Sequence, residues 1–195
     1  MREGVTCALA NFLRLRRTLV YVALPREQRC TSRTVPQLEG LVVTRATPAN
    51  TRELFAEDHS RLRAFLGFLQ KGHVGFYAVH CGMWVAYGWM SPPGGPPPIH
   101  IPTHLKPRQS YWFFYGHTRA DFRGHGLATL LRRYRVNQIR TMPGQESCPI
   151  LSDTGCDNIP SRRAMVRAGF APLGVLTILR LAIPRIGSWA IAVRW

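Results

Sequence analysis

The stretch Thr118-Arg119-Ala120-Asp121-Phe122-Arg123-Gly124-His125-Gly126-Leu127-Ala128 decides how the chain is read. Before it stands Ser110 to His117, whose Tyr111, Trp112, Phe113, Phe114 and Tyr115 are β-prone and apolar on both faces, as a central strand requires. After it Leu127, Leu130, Leu131 and Tyr134 recur at i, i+3, i+4, i+7 and predict a helix over 124–140, with Arg132, Arg133 and Arg135 largely on its outer face. A glycine-rich turn from strand to helix exposes backbone N–H groups at the positive end of the helix dipole. Without Cβ atoms in the way, a phosphate can approach them closely. The stretch is not a Rossmann fingerprint, which would need glycine at Thr129, and no Gly-Lys-Ser/Thr follows to make a P-loop. A plain tight turn remains the alternative for Gly124-His125-Gly126 taken alone.

Outward from this turn the chain alternates. Leu41 to Arg45 reads as a strand, and Ala49 to Gln70 as helix with a break near Asp58. Val74 to His80 and Met83 to Met90 read as a hairpin closed by Cys81-Gly82. Ser91 to Pro107, crowded with Pro92, Pro93, Gly94, Gly95, Pro96, Pro97 and Pro98, reads as an inserted loop in which His100 and His104 are solvated. Pro149 to Thr154 is a second buried strand. Asn158 and Pro160 open a helix that Gly169 closes, and Val175 to Ile183 and Ser188 to Arg194 end the chain as strands. At the other end, residues 9–17 read as a short basic amphipathic helix and Thr18 to Leu24 as a strand. Packing of that helix on the domain is preferred over docking at a membrane surface.

Two blocks in order resemble the GNAT-superfamily N-acetyltransferases. Arg123, Gly126 and Ala128 match the superfamily's pyrophosphate loop, Gln/Arg-x-x-Gly-x-Gly/Ala. Asn158, Ser161 and Gly169-Phe170 match its next motif, an Asn, a small residue three on, and a Gly-Phe closing the helix. The resemblance implies a mixed α/β (α+β) fold: a six- to seven-stranded, mostly antiparallel sheet with helices on both faces and one parallel central pair that splays apart. It also divides the chain into a basic extension, residues 1–40, and an acyltransferase domain, residues 41–195. Acetyl-CoA is then the acyl donor and no metal is needed. Its pantetheine would bond to the backbone near Gly116, His117 and Thr118. Its pyrophosphate would lie on Arg123, Gly124, His125, Gly126, Leu127 and Ala128, with Asn158 and Ser161 near the thiol end.

Transfer to an amine needs a proton acceptor and an acid for the leaving thiolate. The central strand holds no carboxylate, so His117 is the best base in reach, with Glu57, Asp58 and Asp153 behind it. Many relatives carry a tyrosine four residues before the motif glycine to protonate the thiolate. Here that position is Met165, which leaves Tyr115, Tyr134 or water.

The chain has 195 residues and a formal charge of +16, from 26 basic against 10 acidic side chains. Only Lys71 and Lys106 are lysines, so arginine carries the excess. Such a field draws anions and suits a small anionic amine acceptor better than a polyamine. An acidic acyl carrier protein could dock on Arg132, Arg133, Arg162, Arg163 and Arg167 and replace coenzyme A. The rival is a non-catalytic binder of nucleic acid on the same fold. Against it, the aromatics of 111–115 belong to a buried strand rather than a stacking platform. With 46% apolar residues, extensive disorder is excluded. Five scattered cysteines indicate neither a disulfide framework nor a zinc site. Neither a secretory signal nor a membrane span is expected, and the cytoplasm is the expected location.

Overall fold

A computed structural model describes residues 13–25, 38–183 and 187–194. Its strands are β1 (Leu13–Ala23), β2 (Val42–Arg45), β3 (Val74–His80), β4 (Met83–Ser91), β5 (Tyr111–Thr118), β6 (Ile150–Gly155), β7 (Phe170–Ile183) and β8 (Gly187–Arg194). The helices are α1 (Pro48–Leu54), α2 (His59–Gln70), α3 (Leu127–Arg140) and α4 (Ile159–Arg167). All eight strands form one sheet in the order β2-β3-β4-β5-β6-β1-β7-β8. Every pairing is antiparallel except β5 with β6. The sheet has eight strands rather than six or seven, because β1 lies inside it, between β6 and β7.

Local chemistry sets the element ends. Thr47 and Asn50 form a reciprocal capping box at α1, with Pro48 in its first turn. Asp58 caps α2 by accepting from the Arg61 N–H, which places the expected break between the two helices. Cys81 and Gly82 both have positive φ, +49° and +75°, as a two-residue hairpin turn matched to strand twist requires.

Residues 13–17 are strand, correcting the helical reading; residues 9–12 lie outside the described residues. The alternation Leu13-Arg14-Leu15-Arg16 has the period of a strand, and β1 pairs with β7 from Leu13 to Ala23, with one register shift between Val20 and Tyr21. A five-residue pattern fits either period. The eleven-residue ladder decides for the strand, since every added residue gains a pairing.

Side chains alternate across β5, so Tyr111 and Phe113 face one layer while Trp112 and Phe114 face the other. The first layer packs Leu127, Leu131, Val136 and Ile139 of α3 and Met165 of α4 on the sheet. On the opposite face Phe55 and Phe65 pack on Tyr77, Tyr87 and Trp89. Further along that face, Ile101 from the proline-rich loop covers Val20, Trp112, Leu151 and Leu176. The loop is therefore a packed plug. The Lys106 ammonium donates to the carbonyls of Pro92 (2.8 Å) and Gly95 (3.2 Å), and Ser91 donates to that of Pro96. Among the described residues, no helix is long and apolar enough to cross a membrane.

His73 is buried between the Phe114 and Phe68 rings, and its Nδ1 has no hydrogen-bond partner among the described residues. Burial, aided by Lys71 and Lys106, lowers its pKa from 6.5 to about 4. The unfolded chain takes up this proton first as pH falls. Stability is therefore full above pH 6.5 and declines, by up to about 3 kcal/mol, as pH drops to about 4. Urea unfolding at pH 7 and 4.5 is expected to show a smaller loss for His73→Phe than for the natural chain.

Candidate functional site

β5 and β6 pair only over Tyr111–Phe113 and Ile150–Ser152, although the strands run on to Thr118 and Gly155. Beyond Phe113 they part. On its other edge β5 bulges: Tyr87 opposes His117 and Trp89 opposes Phe114, so Tyr115 and Gly116 face the single residue Gly88. Tyr115 takes φ +49° there, in the left-handed region that is costly for a tyrosine.

A cavity of about 640 Å³ opens at this parting. From β5 it is lined by Gly116, His117 and Thr118, and from the turn by Arg123, Gly124 and Gly126. Leu127 and Ala128 of α3, with Asn158 and Ser161 at the start of α4, complete the set of expected residues on its wall. His125 and Tyr115 are not part of the lining. Gly126 is the N-cap of α3, at φ +73°, with no side-chain capping bond. The Thr129 and Leu130 N–H groups donate to the Gly126 carbonyl (both 3.0 Å), so the first-turn donors of α3 left for a ligand are those of Leu127 and Ala128. Asn158 caps α4 by accepting from the Ser161 N–H at 3.1 Å, and the Ser161 hydroxyl accepts from Arg132 at 3.2 Å.

On the α2 side, Tyr115 and His117 flank Tyr87. The Tyr115 ring is stacked with that of Tyr87 at 6.1 Å, and the His117 ring at 5.5 Å. Burial, then the positive charges of Arg61 and Arg123, hold the His117 pKa below the usual 6.5, so its imidazole is neutral at pH 7. Arg61 donates to the Tyr87 hydroxyl at 3.2 Å and pairs with Asp58.

Asp58 is thereby committed: its hydrogen bonds from Arg61 outweigh burial and hold its carboxyl below the usual range. Glu57 is exposed. Met165 is buried in the α3/α4 core, so that position supplies no acid, and the Tyr134 ring packs edge-on to Phe76 at 5.4 Å, in the same core.

The fold has known counterparts. No protein-family model and no curated protein sequence matches the chain. Among solved structures it is similar to a GNAT-family acetyltransferase from Colwellia psychrerythraea, with TM-score 0.57 and 13% identity over 91% of this chain and 60% of that one. A tandem GNAT protein from the clavulanic acid biosynthesis pathway matches with TM-score 0.57 and 13% identity, over 92% of this chain and 57% of its own. A GCN5-related N-acetyltransferase-like protein from Streptococcus suis gives 0.55 and 13%, over 91% and 66%. The chain has the GNAT fold. It spans 57 to 66% of the length of these three solved chains.

Within this GNAT fold three features depart from or go beyond the sequence reading. Arg135 is not on the outer face of α3: it is 3% exposed, and Arg132 lines the cavity beside it. Spacing could have signalled this, because Leu127, Leu131 and Arg135 share one i, i+4, i+8 stripe. His100 is not a solvated loop residue. Its Nε2 lies 2.9 and 3.0 Å from the Asp153 carboxylate oxygens, which also accept from Trp112 Nε1 (2.9 Å) and Thr18 Oγ1 (2.9 Å). Tyr87, the ring that joins Tyr115 to His117, carried no sequence signal beyond its place in a strand.

Proposed function

We propose that the chain is an acyl-CoA-dependent N-acyltransferase, passing an acyl group, acetyl in the simplest case, from the thioester to the amine of a small acceptor by direct attack. The observation that carries this is the parting of β5 from β6 beside the uncapped glycine turn at Gly126. A pantetheine arm can bond there to the free edge of β5 near Gly116, His117 and Thr118, in the manner of an added strand. Its pyrophosphate meets the N–H groups of 124–128 and the Arg123 side chain. The acceptor approaches from the α2 side, where His117, Tyr87 and Tyr115 stand.

As the amine nitrogen bonds to the thioester carbon, the carbon–sulfur bond breaks. His117 takes the amine proton, directly or through one water, and the thiolate recovers a proton from water, since Tyr115 stands off the cavity wall. Backbone N–H groups at the bulge stabilise the carbonyl oxygen as it gains charge. The reducing interior of the cell, where coenzyme A thioesters occur, is the matching location.

An acidic carrier protein is the second donor to test. Arg163 and Arg167 lie on the cavity wall and could meet it, whereas Arg132 faces inward and is withdrawn from that docking set. The deciding assay follows thiol release from acetyl-CoA and from acyl-carrier thioesters across a panel of amines. His117→Ala is expected to lower turnover by about a hundredfold or more. A base must be neutral, so the natural enzyme should lose activity only below pH 6.5, and the variant should lack that acid limb. Full turnover by His117→Ala at every pH would remove His117 from the mechanism.

A further inference from the structure

The guanidinium of Arg135 is buried with no carboxylate to meet it among the described residues. It makes two hydrogen bonds to neutral groups, from Nε to the Leu131 carbonyl (3.1 Å) and from one terminal nitrogen to the Trp89 carbonyl (2.8 Å). Its central carbon lies 4.2 Å from the Phe113 ring centroid. Among the described residues it forms no ion pair. A guanidinium has five N–H donors, and this one also lines the cavity.

The strand beneath has made room for it. A Cβ built on Gly88 would lie 2.8 Å from the Arg135 guanidinium carbon, closer than real contacts allow. Gly88 is the residue that faces the Tyr115–Gly116 bulge, so the charge sits beside the parting of the strands. Arg132, one turn nearer the glycine loop, donates to the Ala128 carbonyl (3.1 Å) and to Ser161. It too has no acidic partner among the described residues. Burial lowers the pKa of both arginines, and Arg132 lowers that of Arg135 further. Two unneutralised cations in one cavity wall are costly unless an anion joins them.

We propose that Arg135, supported by Arg132, is a carboxylate-binding subsite that selects an acyl donor ending in a free carboxylate, a short dicarboxylic acid monothioester, over the acetyl thioester. This rests on the acyltransferase reading above. The carboxylate stays on the transferred group; only the carbon–sulfur bond breaks and the carbon–nitrogen bond forms. The donor is preferred to the acceptor as the source because the Arg135 guanidinium lies on Phe113, on the α3 face of the sheet, whereas the His117 and Tyr87 rings, which also reach the cavity wall, pack with each other and with Trp84 on the α2 face. An acceptor carboxylate has the same chemistry, and binding measured without acceptor separates the two sources.

The test is calorimetric titration of the full chain with succinyl-CoA, acetyl-CoA and free coenzyme A, with no amine present. A charge-assisted bidentate contact predicts that succinyl-CoA binds roughly ten- to a hundredfold more tightly than acetyl-CoA. Arg135→Met should bring the two within about threefold of one another, by the loss of that same contact. Gly88→Ala, which displaces the guanidinium without removing it, should narrow the gap as well. Equal binding of both thioesters to the natural chain overturns the subsite and leaves the acyltransferase reading intact. A uniform loss for all three ligands in Arg135→Met also overturns it, by assigning Arg135 to the coenzyme phosphates. If none of the three binds the natural chain, the coenzyme A-dependent reading falls and the subsite with it.

Discussion

Replacing Gly126 with glutamate is expected to weaken coenzyme A binding by on the order of a hundredfold or more. Gly126 caps α3 at φ +73°, where a residue with a Cβ is strained by about 1 kcal/mol. Strain is the smaller effect. Each hydrogen bond from a backbone N–H to a phosphate contributes roughly 1.5–3 kcal/mol, and losing two of them accounts for the hundredfold. A glutamate at the cap places its carboxylate where the pyrophosphate would lie and offers the N–H groups an internal partner. The helix itself tolerates the change, since a carboxylate at a helix N-terminus is favourable. Circular dichroism and thermal unfolding should therefore stay close to those of the natural chain while calorimetric affinity collapses. Unchanged affinity would move the coenzyme away from this turn.

Asp153→Ala is expected to destabilise the fold by about 3 kcal/mol or more. The Asp153 carboxylate is buried and accepts from Trp112 of β5, Thr18 of β1 and His100 of the proline-rich loop, with Arg16 at 3.7 Å. Burial alone would raise its pKa, but the hydrogen bonds and charge of His100, with the Trp112 and Thr18 bonds, outweigh it and hold the carboxyl below the usual 3.8. For a depressed carboxylate the contribution is present above pH 3.8 and is lost as pH falls through the lower folded value. Truncation leaves the Trp112 N–H unpaired in the core and removes the anion facing Arg16 and His100. Urea unfolding at pH 7 measures the loss, and hydrogen exchange should show β1 amides opening first. A loss under about 1 kcal/mol would mean that β1 is held by its ladder alone.

Much of the fold was legible because each element carries its own punctuation. Asp58, Asn158, Gly169 and the pair Cys81-Gly82 mark ends that depend on neighbours a few residues away, and the structure places breaks there. Residues 13–17 were misread because Leu-Arg-Leu-Arg-Arg is too short to separate a period of 2 from one of 3.6. The deciding partner, β7, lies more than 150 residues along the chain. Asp153 and His100 are 53 residues apart, and no spacing rule links a strand to an irregular loop. Arg135 was assigned outward on its charge, against the stripe it shares with Leu127 and Leu131.

The sequence alone determined the local order of this protein: a central aromatic strand, a glycine turn that frees backbone donors, and a second helix opened by Asn158. These follow from short-range sterics and periodicity, which few residues suffice to set. The tertiary structure alone decided where β1 inserts, that β5 and β6 part after Phe113, and that Gly88 leaves room for an arginine against Phe113. Those outcomes depend on packing between segments far apart in the chain. A charge can be buried there because a distant strand lacks a Cβ, and a composition of +16 conceals which arginines face water and which face the cavity.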